Sequence, residues 1–270
     1  MSVQFLALIV VYGTDPVRTS SLQTLLANEF DRNRLRTLVW DNSPHPKAKV
    51  EELQRAGVLY RSTPENLGLS RIYNCVIAED LVAGEHLLLL DQDTVLPVDF
   101  LPTVEAAIGQ HPDIDLFLPM IQANGNWVSP LDYFLGWGRY WSAPRSGRMK
   151  SAHVCAINSG MVIAARYLKG RQVYDERLRF YGTDTQFMLD YADCRNELVV
   201  LNTQLVHDLS FFSDPVEERV RKFAVMRAAN TQIYASRPLL LRLGAACILA
   251  AVSWLYALRY RSCSFLKRKA

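Results

Sequence analysis

Half of the 270 residues are apolar and 21% are charged, which allows a sizeable core and excludes wholesale disorder, while 13 Gly and 12 Pro exclude collagen-like and low-complexity architectures. The net charge of +3 conceals an asymmetry: eleven of the 30 basic residues and none of the 27 acidic ones follow Glu218, so a body of net charge −8 carries a strongly cationic tail. The five cysteines (Cys75, Cys155, Cys194, Cys247, Cys263) form no C-x-x-C pair, which argues against a disulfide framework or a thiolate zinc site and for a reducing compartment.

The chain opens on an apolar run at 5–12 with no basic lead-in and no small-residue cleavage site. It reads as a buried strand rather than a signal peptide, and the protein is expected to stay inside the cell. Asp15-Pro16 caps and opens a helix to about 28. A strand at 35–40 ends on Asp41-Asn42-Ser43, a helix at about 47–56 follows, and a short strand covers 58–61. Asn66-Leu67-Gly68 begins a helix to about 82. The strand 86–90 stops at Asp91-Gln92-Asp93, a helix spans about 99–110, and 114–121 is a further strand. Between 122 and 153 the pattern breaks into Gly, Trp, Tyr and Pro and reads as loop-rich. The aromatics clustered at 133–141, Trp137 among them, read either as a lid that stacks on ring-shaped ligands or as a satellite cluster under a long loop. Regular elements return at 154–163, in a helix at about 183–193 and in a strand at 198–201. A helix then opens on Asp214-Pro215-Val216-Glu217 and runs to about 235.

Alternation at this spacing predicts βαβ units: an α/β fold with a mainly parallel sheet and helices on both faces. Ligands in such sheets sit beyond the carboxyl ends of the strands. Tyr12-Gly13, Asp41-Asn42-Ser43 and Asp91-Gln92-Asp93 all fall there. The organisation expected is a catalytic domain at 1–212 and a basic helical region at 213–270.

In that second region basic residues flank an apolar stretch at 243–258, about 16 residues and short of the ~20 a straight span needs. Trp254 and Tyr256 lie near its end, where interfacial anchors sit. The preferred expectation is a peripheral helix on an anionic membrane surface. A buried C-terminal helix, an oligomer contact and a true span are the alternatives. Nucleic acid is not expected as a partner, because the basic residues alternate with aliphatics rather than with aromatics set out for stacking.

Asp91-Gln92-Asp93 is the sharpest chemical signal. Two carboxylates two residues apart at a strand end can reach one hard cation, Mg²⁺ or Mn²⁺, which would neutralise a diphosphate leaving group. His207 follows a strand and carries an imidazole suited to Mn²⁺, although a lone histidine also serves structure. Asp184 stands at a predicted helix start, as a cap or as a base facing a pocket. Gly68 would permit close backbone approach, and Arg71, one turn into its helix, could clamp a diphosphate or stand solvated. The dinucleotide fingerprint, the P-loop and the G-x-S-x-G elbow are all missing from the sequence, which weakens NAD, P-loop and hydrolase readings.

Val10-Val11-Tyr12, Asp41-Asn42-Ser43, Asn66-Leu67-Gly68 with Asn74, Leu90-Asp91-Gln92-Asp93-Thr94, Asn158-Ser159-Gly160 and Tyr181-Gly182-Thr183-Asp184, in that order, resemble the glycosyltransferase family 2 enzymes of the GT-A fold. The resemblance covers roughly 3–235. The Leu-Asp-Gln-Asp-Thr form is similar to bacterial rhamnosyltransferases of polysaccharide assembly, which use dTDP-L-rhamnose. It implies a nucleotide pocket lined by Val11 and Tyr12, with Asp41 on the pyrimidine base and Asn42, Asn66, Gly68 and Gln92 around the donor. Arg71 would lie near the diphosphate and Asp91 at ribose or outer-shell water. Asp93 and His207 would bind the metal, and Asp184 would be the general base. Trp137, Asn158, Ser159 and Gly160 would face the acceptor. The sequence departs from the usual Glu-Asp base motif in having Thr183 where the glutamate stands.

The implied activity is inverting, metal-dependent transfer of a sugar from a dTDP- or UDP-sugar to a polyprenyl-diphosphate-linked oligosaccharide. It would serve O-antigen or capsule synthesis at the cytoplasmic face of the membrane. Two rivals stand beside it: a sugar nucleotidyltransferase, which would carry a Gly-rich basic loop where this chain has Gly13-Thr14-Asp15-Pro16, and a non-catalytic assembly scaffold.

Overall fold

The computed structural model describes residues 3–123, 125–206 and 215–267. In chain order the first half comprises β1 (Gln4–Val11), α1 (Ser20–Leu26), β2 (Leu35–Asp41), α2 (Val50–Arg55), β3 (Val58–Ser62), α3 (Leu69–Glu79), β4 (Glu85–Asp91), α4 (Phe100–Gln110) and β5 (Leu116–Ala123). Then come β6 (Asn126–Ser129), β7 (Leu131–Phe134), β8 (Trp137–Tyr140), β9 (Gly147–Lys150), β10 (Val154–Cys155), β11 (Val162–Ala164), α5 (Ala165–Leu168), α6 (Thr183–Cys194) and β12 (Glu197–Val206). The tail holds α7 (Val216–Ala235), α8 (Leu239–Arg259) and a 3-10 turn, Cys263–Leu266.

The main sheet runs β3-β2-β1-β4-β11-β5-β12-β9, with β6 on β5. Strands β1 to β4 pair in parallel, as do β5 and β12, while β11 and β9 are antiparallel insertions. The fold is α/β with a mainly parallel sheet, as the alternation predicts. Side-chain alternation along β1 divides the core. Leu6 and Leu8 pack with Ile72 and Val76 of α3 and Phe187 and Tyr191 of α6, whereas Phe5, Ala7 and Ile9 pack with Leu22 of α1 and Phe100 and Val104 of α4. A period of two sends alternate residues to opposite faces, so each face needs its own helical layer.

Several expected boundaries shift for local reasons. Asp15 does cap its helix, accepting from Val17 N at 3.2 Å, but only a 3-10 turn (Pro16–Arg18) follows, and Thr19 returns to extended backbone before α1. Helix α3 starts at Leu69 rather than Asn66, because Asn66 is left-handed (φ 47°) and Gly68 is extended. The stretch 122–153 is not loop-rich: β6 to β9 occupy it, and β7, β8 and β10 form a second small sheet. Of its aromatics, Tyr133 and Trp141 are buried, whereas Phe134, Trp137 and Tyr140 are exposed.

The tail also departs from expectation. Pro238 opens α8 early enough to give 21 residues, so by length and composition this helix could cross a membrane. The two tail helices pack on the body: Ala229, Ile233 and Tyr234 of α7 and Ala245 of α8 form one buried cluster with Leu178, against which Leu135 and Leu189 lie. Arg237, between α7 and α8, pairs with Asp190 and Asp193 of α6. The Asp214 cap and the 212/213 boundary lie outside the described residues.

Candidate active site

The carboxyl ends of β1, β2 and β4 form one edge, because the register sets Val11 beside Asp41 and Val10 beside Asp91. Turn hydrogen bonds hold this edge together. Tyr12 N donates to Gln92 Oε1 at 2.8 Å, Gly13 N to Ser43 Oγ at 2.8 Å, and Lys47 Nζ to the Gly13 carbonyl at 2.9 Å. The Gln92 carbonyl accepts from Ser21 N and Ser21 Oγ. Gln92 is thus tied on both sides, which fixes the turn that carries the two aspartates. Asp91 is half-buried and Asp93 exposed, and Thr94 Oγ1 shares a 2.5 Å hydrogen bond with Ser159 Oγ beneath them. Val95 bridges to Val206, so the end of β12 lies beside this turn. His207, the next residue, lies outside the described residues.

Two of the residues assigned to the donor serve the chain itself. Asp41 has no exposed surface from which to meet a base; its oxygens accept from Ser43 N and the Tyr60 hydroxyl, each at 3.0 Å. Asn42 is likewise enclosed, donating to Asn66 Oδ1 and the Leu67 carbonyl and accepting from Leu67 N. The close approach that Gly68 permits is to Arg179: a Cβ on Gly68 would stand 2.9 Å from Arg179 Cα, and Leu69 N donates to the Arg179 carbonyl. Val11 is buried, its carbonyl taken by Asn42 N, while Tyr12 is half exposed. Arg71 stands exposed on α3. The Asn66-Gly68 segment therefore docks the loop that leads into α6, and this brings Asp184 to the sheet edge.

Asp184 lies in the first turn of α6, which Thr183 opens after Gly182, whose left-handed backbone (φ 84°) makes the turn. It lies deep among protein atoms with one open edge. Burial pushes its carboxyl up to about 6, the Asp91 charge adds to the rise, and hydrogen bonding from Thr185 N at 2.7 Å opposes it. An acid poised near neutrality suits proton abstraction. Asn158 lies at the same helix start, its amide donating to Thr183 Oγ1 at 3.3 Å and its buried Oδ1 unpaired among the described residues; Gly160 is backed onto Pro119 and Leu205. Ser159 is buried beside Thr94, whereas Trp137 lies on the exposed strand β8.

The sequence did not single out Tyr73, and it marked Tyr133 only as one of the aromatics clustered at 133–141. Tyr73 is buried, its phenol held well above its usual range by burial and by the charges of Asp91 and Asp184. Tyr133 donates to Asn230 Oδ1 of α7 at 2.9 Å. Tyr73 sits at an ordinary apolar position of α3, so its pattern reads only as core.

Asp91 and Asp93 supply hard oxygen donors of the kind Mg²⁺ or Mn²⁺ takes when substrate phosphate completes the shell. Among the described residues no three His, Cys, Asp or Glu gather into a self-sufficient cage. The donor set therefore fits an ion shared with a phosphate ligand.

The mostly parallel central sheet with flanking helices that carries this edge is a GT-A-like fold. Among solved structures, the chain is similar to Staphylococcus aureus TarS residues 1–349, at TM-score 0.59 and 14% identity over 90% of this chain and 71% of that one. The same fragment in complex with UDP-GlcNAc matches at TM-score 0.57 and 15% identity, over 90% and 79%. GalNAc-T7 with UDP, GalNAc and Mn²⁺ matches at TM-score 0.61 and 14% identity, over 87% of this chain and 51% of that one. No protein-family model and no curated protein sequence matches the chain.

Proposed function

We propose that the protein is an inverting glycosyltransferase that draws a sugar from a nucleotide-sugar donor. The observation that carries this reading is the pairing of Asp184, partly buried and raised to about 6, with the Asp91-Gln92-Asp93 turn across the same edge. The solved relatives of this fold bind UDP and UDP-GlcNAc, which supports a nucleoside diphosphate at that edge. Family 2 is the membership its motifs fit, and a dTDP-sugar such as dTDP-L-rhamnose is the donor that the Leu90–Thr94 form favours.

The chain's own residues divide the work. The tethered turn of Gln92 and the Ser43–Gly13 contact shape the nucleotide side, with Tyr12 as its exposed ring. Asp93, with Asp91 and on the sequence reading His207, would hold Mg²⁺ or Mn²⁺, whose charge stabilises a departing diphosphate. Asp184 takes the proton from the acceptor hydroxyl as its oxygen bonds to the anomeric carbon and the bond to the diphosphate breaks. Attack from the opposite face inverts the configuration. Asn158 Oδ1, buried beside Thr183 and unpaired among the described residues, is an acceptor suited to a sugar hydroxyl. A lipid-linked oligosaccharide is the acceptor we assign, at the cytoplasmic face of a membrane, as one step of surface polysaccharide assembly.

The test is a thermal-shift panel of UDP- and dTDP-sugars with and without Mn²⁺. A bound donor raises the melting temperature by mass action, and Asp93→Ala should abolish the metal-dependent part. A flat response across the panel would refute the reading.

A further inference from the structure

The outer side of α8 is apolar from end to end. Leu240, Leu243, Cys247, Ala251, Trp254 and Leu258 recur at three- and four-residue intervals, which aligns them on one side of a helix. All six are exposed, Leu240 at 82% and Leu258 at 74%. At 1.5 Å per residue the stripe is about 27 Å long. The opposite side is occupied: Ala245, Leu249 and Ser253 are buried, and Tyr256 packs on Phe223 of α7 and on Phe265.

Charge decides what covers this stripe. Arg242 near one end and Arg259, Arg261 and Lys267 at the other are exposed, and no acidic residue follows Glu218. A second copy seated there would bring two cationic arrays together. A bilayer span would require α8 to leave α7 or to take α7 with it, and α7 carries Glu217, Glu218, Arg219, Arg221, Lys222 and Arg227, too many charges for hydrocarbon. An anionic leaflet satisfies both halves of the surface, with leucines and Trp254 at the acyl boundary and guanidinium and ammonium groups among the headgroups.

We infer that α8 lies in the plane of an anionic lipid bilayer, seated by this stripe. The contact also brings the bilayer close to the candidate acceptor side. Leu135 of the β7–β8 turn rests on Gly244, where a Cβ would stand 2.8 Å from its Cδ1, and Gly136 faces Leu249. The hairpin bearing Trp137 is therefore braced on α8, and an acceptor held in the leaflet meets it from the lipid side. That last step rests on the glycosyltransferase reading; the lipid contact does not.

The full chain is sedimented with vesicles of phosphatidylcholine alone or with one-third phosphatidylglycerol. The wild type pellets with the anionic vesicles only, is released by salt at about 0.5 M, where charges are strongly screened, and shows a blue-shifted tryptophan emission that Trp254→Phe removes. Leu240→Asp/Leu258→Asp stays in the supernatant with an unchanged melting temperature, since both side chains are exposed. Equal pelleting of the double variant, or none by the wild type, overturns the inference. So does a wild-type dimer that this variant disperses, which assigns the stripe to a second copy. Resistance of the cellular protein to alkaline carbonate overturns the in-plane arrangement in favour of a span. No sugar nucleotide enters these measurements, so their failure leaves the catalytic reading standing, and a flat donor panel leaves this one standing.

Discussion

Asp184 is where chemistry and stability pull in opposite directions. Its carboxyl binds a proton more tightly in the folded chain than in the unfolded one, because burial disfavours the charged form. Folding stability therefore falls as pH rises from about 4 to about 6 and stays lower above that. Two units correspond to a penalty of up to about 3 kcal/mol, reduced by the water at its open edge. Asp184→Asn removes the charge and keeps the shape. The variant should melt above the wild type at pH 8, with the difference vanishing near pH 4; a difference that grows toward acid would contradict the assignment. The same substitution should lower turnover by about 10²- to 10⁴-fold while donor affinity, read by calorimetry, hardly changes. Asp93→Ala should do the converse, losing the Mn²⁺-dependent part of donor binding, read by calorimetry with and without the metal.

At the level of elements, the apolar runs of β1, β2 and β4 and the polar clusters that end them were legible because each is local: a buried parallel strand needs only its own sequence to announce it. The segment 122–153 was not. Its strands are four residues long, too short to show a period, and although β7 and β8 pair locally, β9 pairs with β12, some fifty residues further along, a tertiary contact that leaves no local trace. Gly68 shows the same limit. Sequence marks it as a point of close approach, but only the fold reveals that the approaching backbone is Arg179. Gly68→Ala should push that loop away, costing about 1–3 kcal/mol as overpacking does and slowing turnover through the displaced start of α6. A thermal melt with the drop, followed by unchanged kinetics, would confine Gly68 to stability.

For the whole molecule, the acidic body and basic tail that composition divides are joined through α6. Arg237 pairs with Asp190 and Asp193, and Ala245 completes the cluster around Leu178 and Ile233. Deleting 237–270 should therefore do more than release the protein from membranes. It should also lower the melting temperature in solution, by circular dichroism, and an unchanged melt would show that the tail is dispensable to the body. Composition could reveal the polarity of the two regions, not their mutual support.

Gly182 turns the chain into α6 while sitting against Ala229 and Ile233 of α7, where an added Cβ would lie within 3.0–3.2 Å of both. Grafting a foreign tail onto this body, or this tail onto another protein of the fold, would thus alter the footing of Asp184 itself. Chimeras must carry the glycine and its two helical neighbours together, which makes the pair, rather than the composition boundary, the natural unit of exchange.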